Sequence, residues 1–245
     1  MRAAECDAVL FDLDGVLTDT AAVHEQAWGR LFAEAFEVFG GEGCVVAPYT
    51  VEDYFLHIDG KPRVKGIQAI LASRDLKLPV GDADDSPEVM TVNGLGNRKN
   101  AMFLRMLERD GARRHHGAVE ILRWLGGQRI PTGVVSSSRN ADVVLRAAGL
   151  REGLDVLIDG VAAELLGQRG KPAPDTYLYA ARQLGADPAR TVVVEDATSG
   201  TRAGRDGGFW VVGIDRGAGR QQLLHHGADV VVDELDEIFF EERRI

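Results

Sequence analysis

Short, almost wholly apolar runs alternate with helix-patterned stretches over the second half of the chain. Thr132-Gly133-Val134-Val135, Val156-Leu157-Ile158, Thr191-Val192-Val193-Val194, Trp210-Val211-Val212-Gly213-Ile214 and Val230-Val231-Val232 are too short for helices. They also lack the polar alternation of a half-exposed strand, so they predict strands covered on both faces, as in a parallel sheet. Between them, Ala141–Ala148 has helical character and Gly149 is placed to stop it. Asp175–Leu184 predicts a second helix, opened by Pro174 and closed by Gly185. A further strand-like run, Asp7-Ala8-Val9-Leu10-Phe11, stands near the start of the chain.

The segment from about Thr20 to Arg114 follows a different rule. Val23, Ala27, Leu31 and Ala35 share one helical face, as do Phe103 and Leu107, and strand patterns are scarce. Pro79–Gly96, rich in Asp, Gly, Pro and Asn, reads as a loop. The expected fold class is therefore α/β. A Rossmann-like parallel-sheet core (1–19 and 115–245) carries an inserted α-helical cap domain (20–114). Glu241-Glu242-Arg243-Arg244 reads as a solvated tail.

Composition narrows the function. The 245 residues are 45% hydrophobic and 27% charged, as expected of a globular chain with a sizeable core. The formal charge of −10 argues against a nucleic-acid partner, whose phosphates need a basic face. It leaves room for a phosphorylated small molecule held by a local group of cations. Cys6 and Cys44 form no CxxC pattern and read as ordinary reduced thiols. The first residues lack the apolar stretch of a signal peptide, and no run is long enough for a membrane span, which gives a cytoplasmic expectation.

Four polar motifs end predicted strands or open the helices after them: Asp12-Leu13-Asp14-Gly15-Val16, Ser136-Ser137-Ser138-Arg139-Asn140, Lys171-Pro172-Ala173-Pro174-Asp175 and Glu195-Asp196-Ala197. Each has a plain alternative, as a turn, a cap or a solvated strand end. In an open α/β sheet, however, ligands bind outside the carboxyl ends of the strands, so all four belong to one edge. There Asp12 is a candidate nucleophile and the neighbouring Asp14 a proton carrier. Asp12 and Asp196 offer hard oxygen ligands for Mg²⁺. Ser136 and the amides after it suit phosphate oxygens, and Lys171 supplies a compact positive charge.

These motifs, in this order, resemble the haloacid dehalogenase-like phosphotransferases over essentially the whole chain. The resemblance implies Asp12 as nucleophile and Asp14 as general acid/base. It implies Ser136 as the phosphate-binding hydroxyl, Lys171 as the neutralising lysine and Glu195-Asp196 as the acidic metal motif. The Asp14 carbonyl is implied as a further ligand of a single Mg²⁺. Thr18-Asp19-Thr20 with His24, Arg98-Lys99-Asn100 and the Ser136–Asn140 pattern, here with Arg139 where a lysine is usual, resemble the β-phosphoglucomutase branch.

That branch implies an isomerase that interconverts β-D-glucose 1-phosphate and D-glucose 6-phosphate through β-glucose 1,6-bisphosphate, which also primes the enzyme. A mutase must hold the sugar's other phosphate, and Arg63 is the candidate clamp, with Lys61 and Lys65 as rivals. Thr20, His24, Lys99, Asn100, Ser138, Arg139 and Asn140 complete the implied substrate set, with His24 expected to orient Asp14. The expected partner is a phosphorylated sugar, with no membrane partner, and the expected state is monomeric. The alternative is a sugar-phosphate phosphatase sharing the aspartyl-phosphate step. A non-enzymatic regulatory role fits poorly with an intact set of Asp12, Asp14, Lys171 and Asp196.

Overall fold

A computed structural model describes residues 5–40, 46–58 and 61–238. In chain order the elements are β1 (Ala8–Phe11), α1 (Ala21–Gly40) and α2 (Val51–Asp53), which runs into a π-helical turn at Tyr54–Ile58. They continue with α3 (Arg63–Ala72), α4 (Val92–Asp110), α5 (Ala118–Gln128), β2 (Thr132–Val135), α6 (Ala141–Ala147), β3 (Val156–Ile158), α7 (Gly160–Leu165) and α8 (Asp175–Leu184). The last are β4 (Thr191–Glu195), α9 (Thr198–Asp206), β5 (Trp210–Ile214), α10 (Arg220–His225) and β6 (Val230–Val232). Contacts divide the chain into two compact units, one drawn from Met1–Asp19 and Ala112–Ile245, the other from Thr20–Gly111.

The first unit is built on a parallel sheet in the order β3-β2-β1-β4-β5-β6. β1, β2 and β4 are buried along their whole length, which suits their mainly apolar side chains, with Glu195 at the end of β4 the charged exception. The first strand of the sequence thus lies inside the sheet, with Phe11 opposite Val134 of β2 and Val194 of β4. The residues that follow these three positions share one carboxyl edge. Leu10, Val135, Val193, Val211, Tyr177 and Phe209 belong to the core packed on the sheet. α8 stops where Gly185 adopts a left-handed conformation, φ 66°.

The second unit is helical and has its own apolar cluster, including Trp28, Leu31, Phe32, Ile67, Ile70 and Leu95. Ala27, Leu31 and Ala35 are fully buried, as their spacing on α1 requires. Arg74 pairs with Asp53 at 2.5 Å, and Asp53 also closes a reciprocal cap with Thr50 at the start of α2.

Two boundaries differ from the sequence expectation. The chain leaves the inserted unit at Gly111 rather than at Arg114, because the Arg113 carbonyl accepts from the Asp19 N–H and Arg114 bridges Thr18. Val92–Gly96, expected to be loop, is the first turn of α4, capped by the Thr91 hydroxyl on the Gly94 N–H at 2.9 Å. Its glycines serve close packing: a Cβ on Gly96 would meet Arg63 Cδ at 3.0 Å, and one on Gly94 would meet the Ser86 carbonyl at 3.1 Å.

Cys6 is a half-buried free thiol whose pKa burial pushes up. Cys44 and the Glu241–Arg244 tail lie outside the described residues. Among the described residues no helix is long and apolar enough to cross a membrane.

Candidate active site

Asp12 extends β1 by one bond, its N–H donating to the Val194 carbonyl at 2.9 Å. The chain then turns at once. The N–H groups of Leu17 and Thr18 both return to the Leu13 carbonyl at 3.0 Å, and the Gly15 N–H donates to the Thr18 carbonyl at 2.8 Å. Gly15 has φ 98°, a conformation that a side chain resists. Asp12 is buried and Asp14 is half-buried just beyond it.

Lys171 comes from the turn before α8 and is only 4% exposed. Its Nζ donates to Asp12 Oδ1 at 2.5 Å, to Glu195 Oε1 at 2.6 Å and to the Val135 carbonyl at 2.9 Å. Three strand ends thus converge on one ammonium. Glu195 ends β4 and is 1% exposed, while Asp196 is half-buried beside it.

The electrostatics follow from this burial. Desolvation pushes the Asp12 carboxyl up to about 8, and repulsion from Glu195 and Asp14 adds to the rise while Lys171 opposes it. Burial alone would lower the Lys171 ammonium, but Asp12 and Glu195 outweigh it and hold it well above the usual lysine value. Oxygen atoms of Asp12, Glu195 and Asp196 lie within 4.8 Å of one another. This hard-oxygen set fits a divalent cation such as Mg²⁺. Each Glu195 oxygen already accepts two donors.

Ser136 lies on the same edge, buried at the end of β2, with its N–H on the Ile158 carbonyl at 3.0 Å. Its hydroxyl accepts from the Ser138 N–H at 3.0 Å, and the Ser138 hydroxyl accepts from the Asn140 N–H at 3.2 Å. The two serines thereby shape the turn into α6. Arg139 is not gathered into this group: it is exposed and ion-paired with Glu164.

The inserted unit makes a second grouping. Lys99 is 3% exposed; its Nζ contacts His24 Nδ1 and lies 5.0 Å and 4.9 Å from the ring centroids of Trp28 and Phe103. The His24 ring stacks on Phe103 at 4.0 Å. Desolvation, with the Lys99 and Arg63 charges, keeps His24 well below the usual histidine range. A neutral ring accepting at Nδ1 carries its proton on Nε2. Arg63 donates to Asn100 Oδ1 at 2.9 Å, which joins it to this group. Its rival Lys61 instead caps the Leu56 carbonyl at 2.9 Å, and Lys65 is exposed. Thr20 is fully buried just before α1, where its carbonyl accepts the His24 N–H at 2.9 Å. Arg98 holds the preceding loop through the Pro87 carbonyl at 2.6 Å.

Two residues of the first unit join the site without a sequence signal. Tyr177 reaches Glu195 from α8, and Arg216 donates from the end of β5 to the Gly15 carbonyl at 3.2 Å. Periodicity marks Tyr177 only as a core position, and nothing local marks Arg216.

The family profile described as haloacid dehalogenase-like hydrolase matches residues 6–208. A β-phosphoglucomutase of Mycobacterium bovis is 44% identical over 94% of this chain and 90% of its own. The hexitol phosphatase A of Escherichia coli is 30% identical over 95% of this chain and 93% of its own. Among solved structures, a β-phosphoglucomutase from Clostridium difficile superposes with a TM-score of 0.77 at 25% identity, covering 97% of this chain and 95% of that one.

Proposed function

Because the chain belongs to the haloacid dehalogenase-like hydrolases, we propose that it is a Mg²⁺-dependent mutase interconverting β-D-glucose 1-phosphate and D-glucose 6-phosphate. The observation that carries phosphoryl transfer is the convergence of Asp12, Lys171, Glu195 and Asp196 at the ends of β1 and β4. The choice of mutase is supported by the likeness to β-phosphoglucomutases over nearly the whole chain.

In this reading Asp12 is the nucleophile and carries the phosphoryl group between half-reactions. With Asp12 phosphorylated, Asp14 takes the proton of the sugar's 6-hydroxyl as that oxygen attacks phosphorus. The bond from phosphorus to Asp12 breaks, and β-glucose 1,6-bisphosphate forms. The bisphosphate then presents its other end. Asp12 attacks the phosphorus on O1, and Asp14 returns the proton to O1 as that bond breaks, releasing glucose 6-phosphate. Glucose 1,6-bisphosphate primes the cycle by phosphorylating Asp12. Lys171 holds Asp12 in place, and Ser136 takes a phosphoryl oxygen. Asp12 and Asp196, with the Asp14 carbonyl, would hold Mg²⁺, whose charge would offset that of the transferring group. Arg63, Lys99 and Asn100 form the anion- and hydroxyl-binding set of the inserted unit, and the protein acts as a monomer.

The test is incubation with β-glucose 1-phosphate, Mg²⁺ and a trace of glucose 1,6-bisphosphate. Glucose 6-phosphate is the expected product. Free glucose with inorganic phosphate would replace the mutase reading by the phosphatase one, for which the likeness to hexitol phosphatase A is the supporting observation.

A further inference from the structure

Lys171 has three ammonium protons, and Asp12, Glu195 and the Val135 carbonyl accept all three. Glu195 is filled in turn. Its Oε1 accepts from Lys171 and from the Tyr177 hydroxyl at 3.0 Å. Its Oε2 accepts the N–H groups of Asp196 at 3.0 Å and Ala197 at 3.1 Å. Gly200 leaves the room for this carboxylate, since a Cβ there would stand 2.5 Å from Oε2 and closer still to Oε1. Tyr177 touches both members of the pair. Its hydroxyl is on Glu195, its ring centroid lies 5.0 Å from Lys171 Nζ, and the residue is 0% exposed.

We infer that Tyr177 is a positioning residue of the phosphoryl-transfer centre, acting through Glu195. Its hydroxyl satisfies part of the Glu195 carboxylate, so Lys171 divides its bonds between Glu195 and Asp12. Without that hydroxyl, Lys171 is the one side-chain donor left on Oε1, and the ammonium is drawn toward Glu195 at the expense of Asp12. Asp12 then loses the donor that fixes it for attack. The charge that moves from the carboxylate to the phosphoryl oxygens as the new O–P bond forms loses its nearest cation. The inference rests on the aspartyl-transfer step proposed above, and not on whether sugar or water accepts the group.

Tyr177→Phe tests it, because the ring and its contact with Lys171 remain and only the hydroxyl goes. Phosphoenzyme formation is followed by rapid quench with acetyl phosphate and Mg²⁺. The expected result is a maximal rate constant lower by about tenfold, from loss of one hydrogen bond to a charged group. The half-saturating acetyl phosphate concentration should stay within about twofold, because the hydroxyl does not touch the donor. In a Glu195→Gln background the same change should have no further effect, since a residue acting through Glu195 is coupled to it. Equal rates for parent and Tyr177→Phe overturn the inference. So does a loss that multiplies in full in the Glu195→Gln background, or one that follows unfolding in a melt at the assay temperature. A parent protein that acquires no label overturns the phosphoryl-transfer reading itself, and this inference with it.

Discussion

The carboxylate of Asp196 occupies the space that a side chain on Gly15 would fill: a Cβ there would stand 2.7 Å from Asp196 Cγ and closer still to Oδ2. The turn after Asp12 and the acidic motif after β4 are therefore fitted to each other at a single position. Gly15→Ala is expected to cost roughly 1–3 kcal/mol in backbone strain. It should also displace Asp196, so that the Mg²⁺ concentration for half-maximal activity rises. Urea unfolding and a Mg²⁺ titration of activity check the two parts, and an unchanged Mg²⁺ requirement would refute the second.

Lys171→Met removes the cation at the centre of buried Asp12 and Glu195. Activity should fall by about 10²–10³-fold, the scale of losing one preorganised electrostatic partner. The loss of stability should be about 3–5 kcal/mol in alkaline solution, where the carboxylates are left charged. The sign with pH follows from Asp12. Its folded-state pKa, about 8, lies above its ordinary 3.8, so the folded protein binds the extra proton between those values. Stability conferred by that proton is lost as pH rises through the window. Without Lys171 the Asp12 carboxyl rises further still, so the variant should follow the parent's slope up to about pH 8 and fall away from it above that, and denaturation at pH 6 and pH 9.5 measures it.

His24 predicts the opposite slope. Its folded-state pKa lies well below 6.5, so below that pH the unfolded chain takes up a proton that the folded chain refuses. Stability should fall as pH drops from 6.5, by at most about 1.4 kcal/mol per pH unit for one proton. His24→Gln should flatten this part of the profile. A profile identical in parent and variant between pH 5 and 6.5 would count against a buried neutral ring.

Arg63→Ala should separate substrate binding from chemistry. If the inserted unit holds the non-transferring phosphate, KM for β-glucose 1-phosphate should rise by about 10–100-fold, the range for one charge-assisted contact. Phosphorylation by acetyl phosphate, which has no second phosphate, should proceed at the parent rate. Equal losses with both donors would place Arg63 outside the binding set.

The sheet was legible because its central strands are covered on both faces and so are mainly apolar, as in Val192–Val194 and Val211–Ile214. The gathering of Asp12, Lys171 and Glu195 was legible because strand ends of a parallel sheet share an edge. Val92–Gly96 misled because glycine signals a turn by composition, whereas here Gly94 and Gly96 admit close neighbours inside a helix. Arg139 occupies a motif position but pairs with Glu164, a partner that motif spacing cannot reveal. Tyr177 and Arg216 stayed hidden because their place at the site depends on which distant atoms lie opposite them, Glu195 and the Gly15 carbonyl.

The place of β1 inside the sheet also sets the order of assembly. β1 must wait for β2 and β4, which begin at Thr132 and Thr191, before either of its edges is paired. During synthesis it is an apolar ribbon with two open sides, while α1, α3 and α4 can close their own core from nearby sequence. Pairing across such long separations is slow, so hydrogen-exchange pulse labelling during refolding should find amides of α1 and α4 protected before those of β1. The Asp12 grouping therefore forms late, and a nascent chain cannot take a phosphoryl group onto Asp12 from a sugar phosphate before Lys171 and Glu195 have been made.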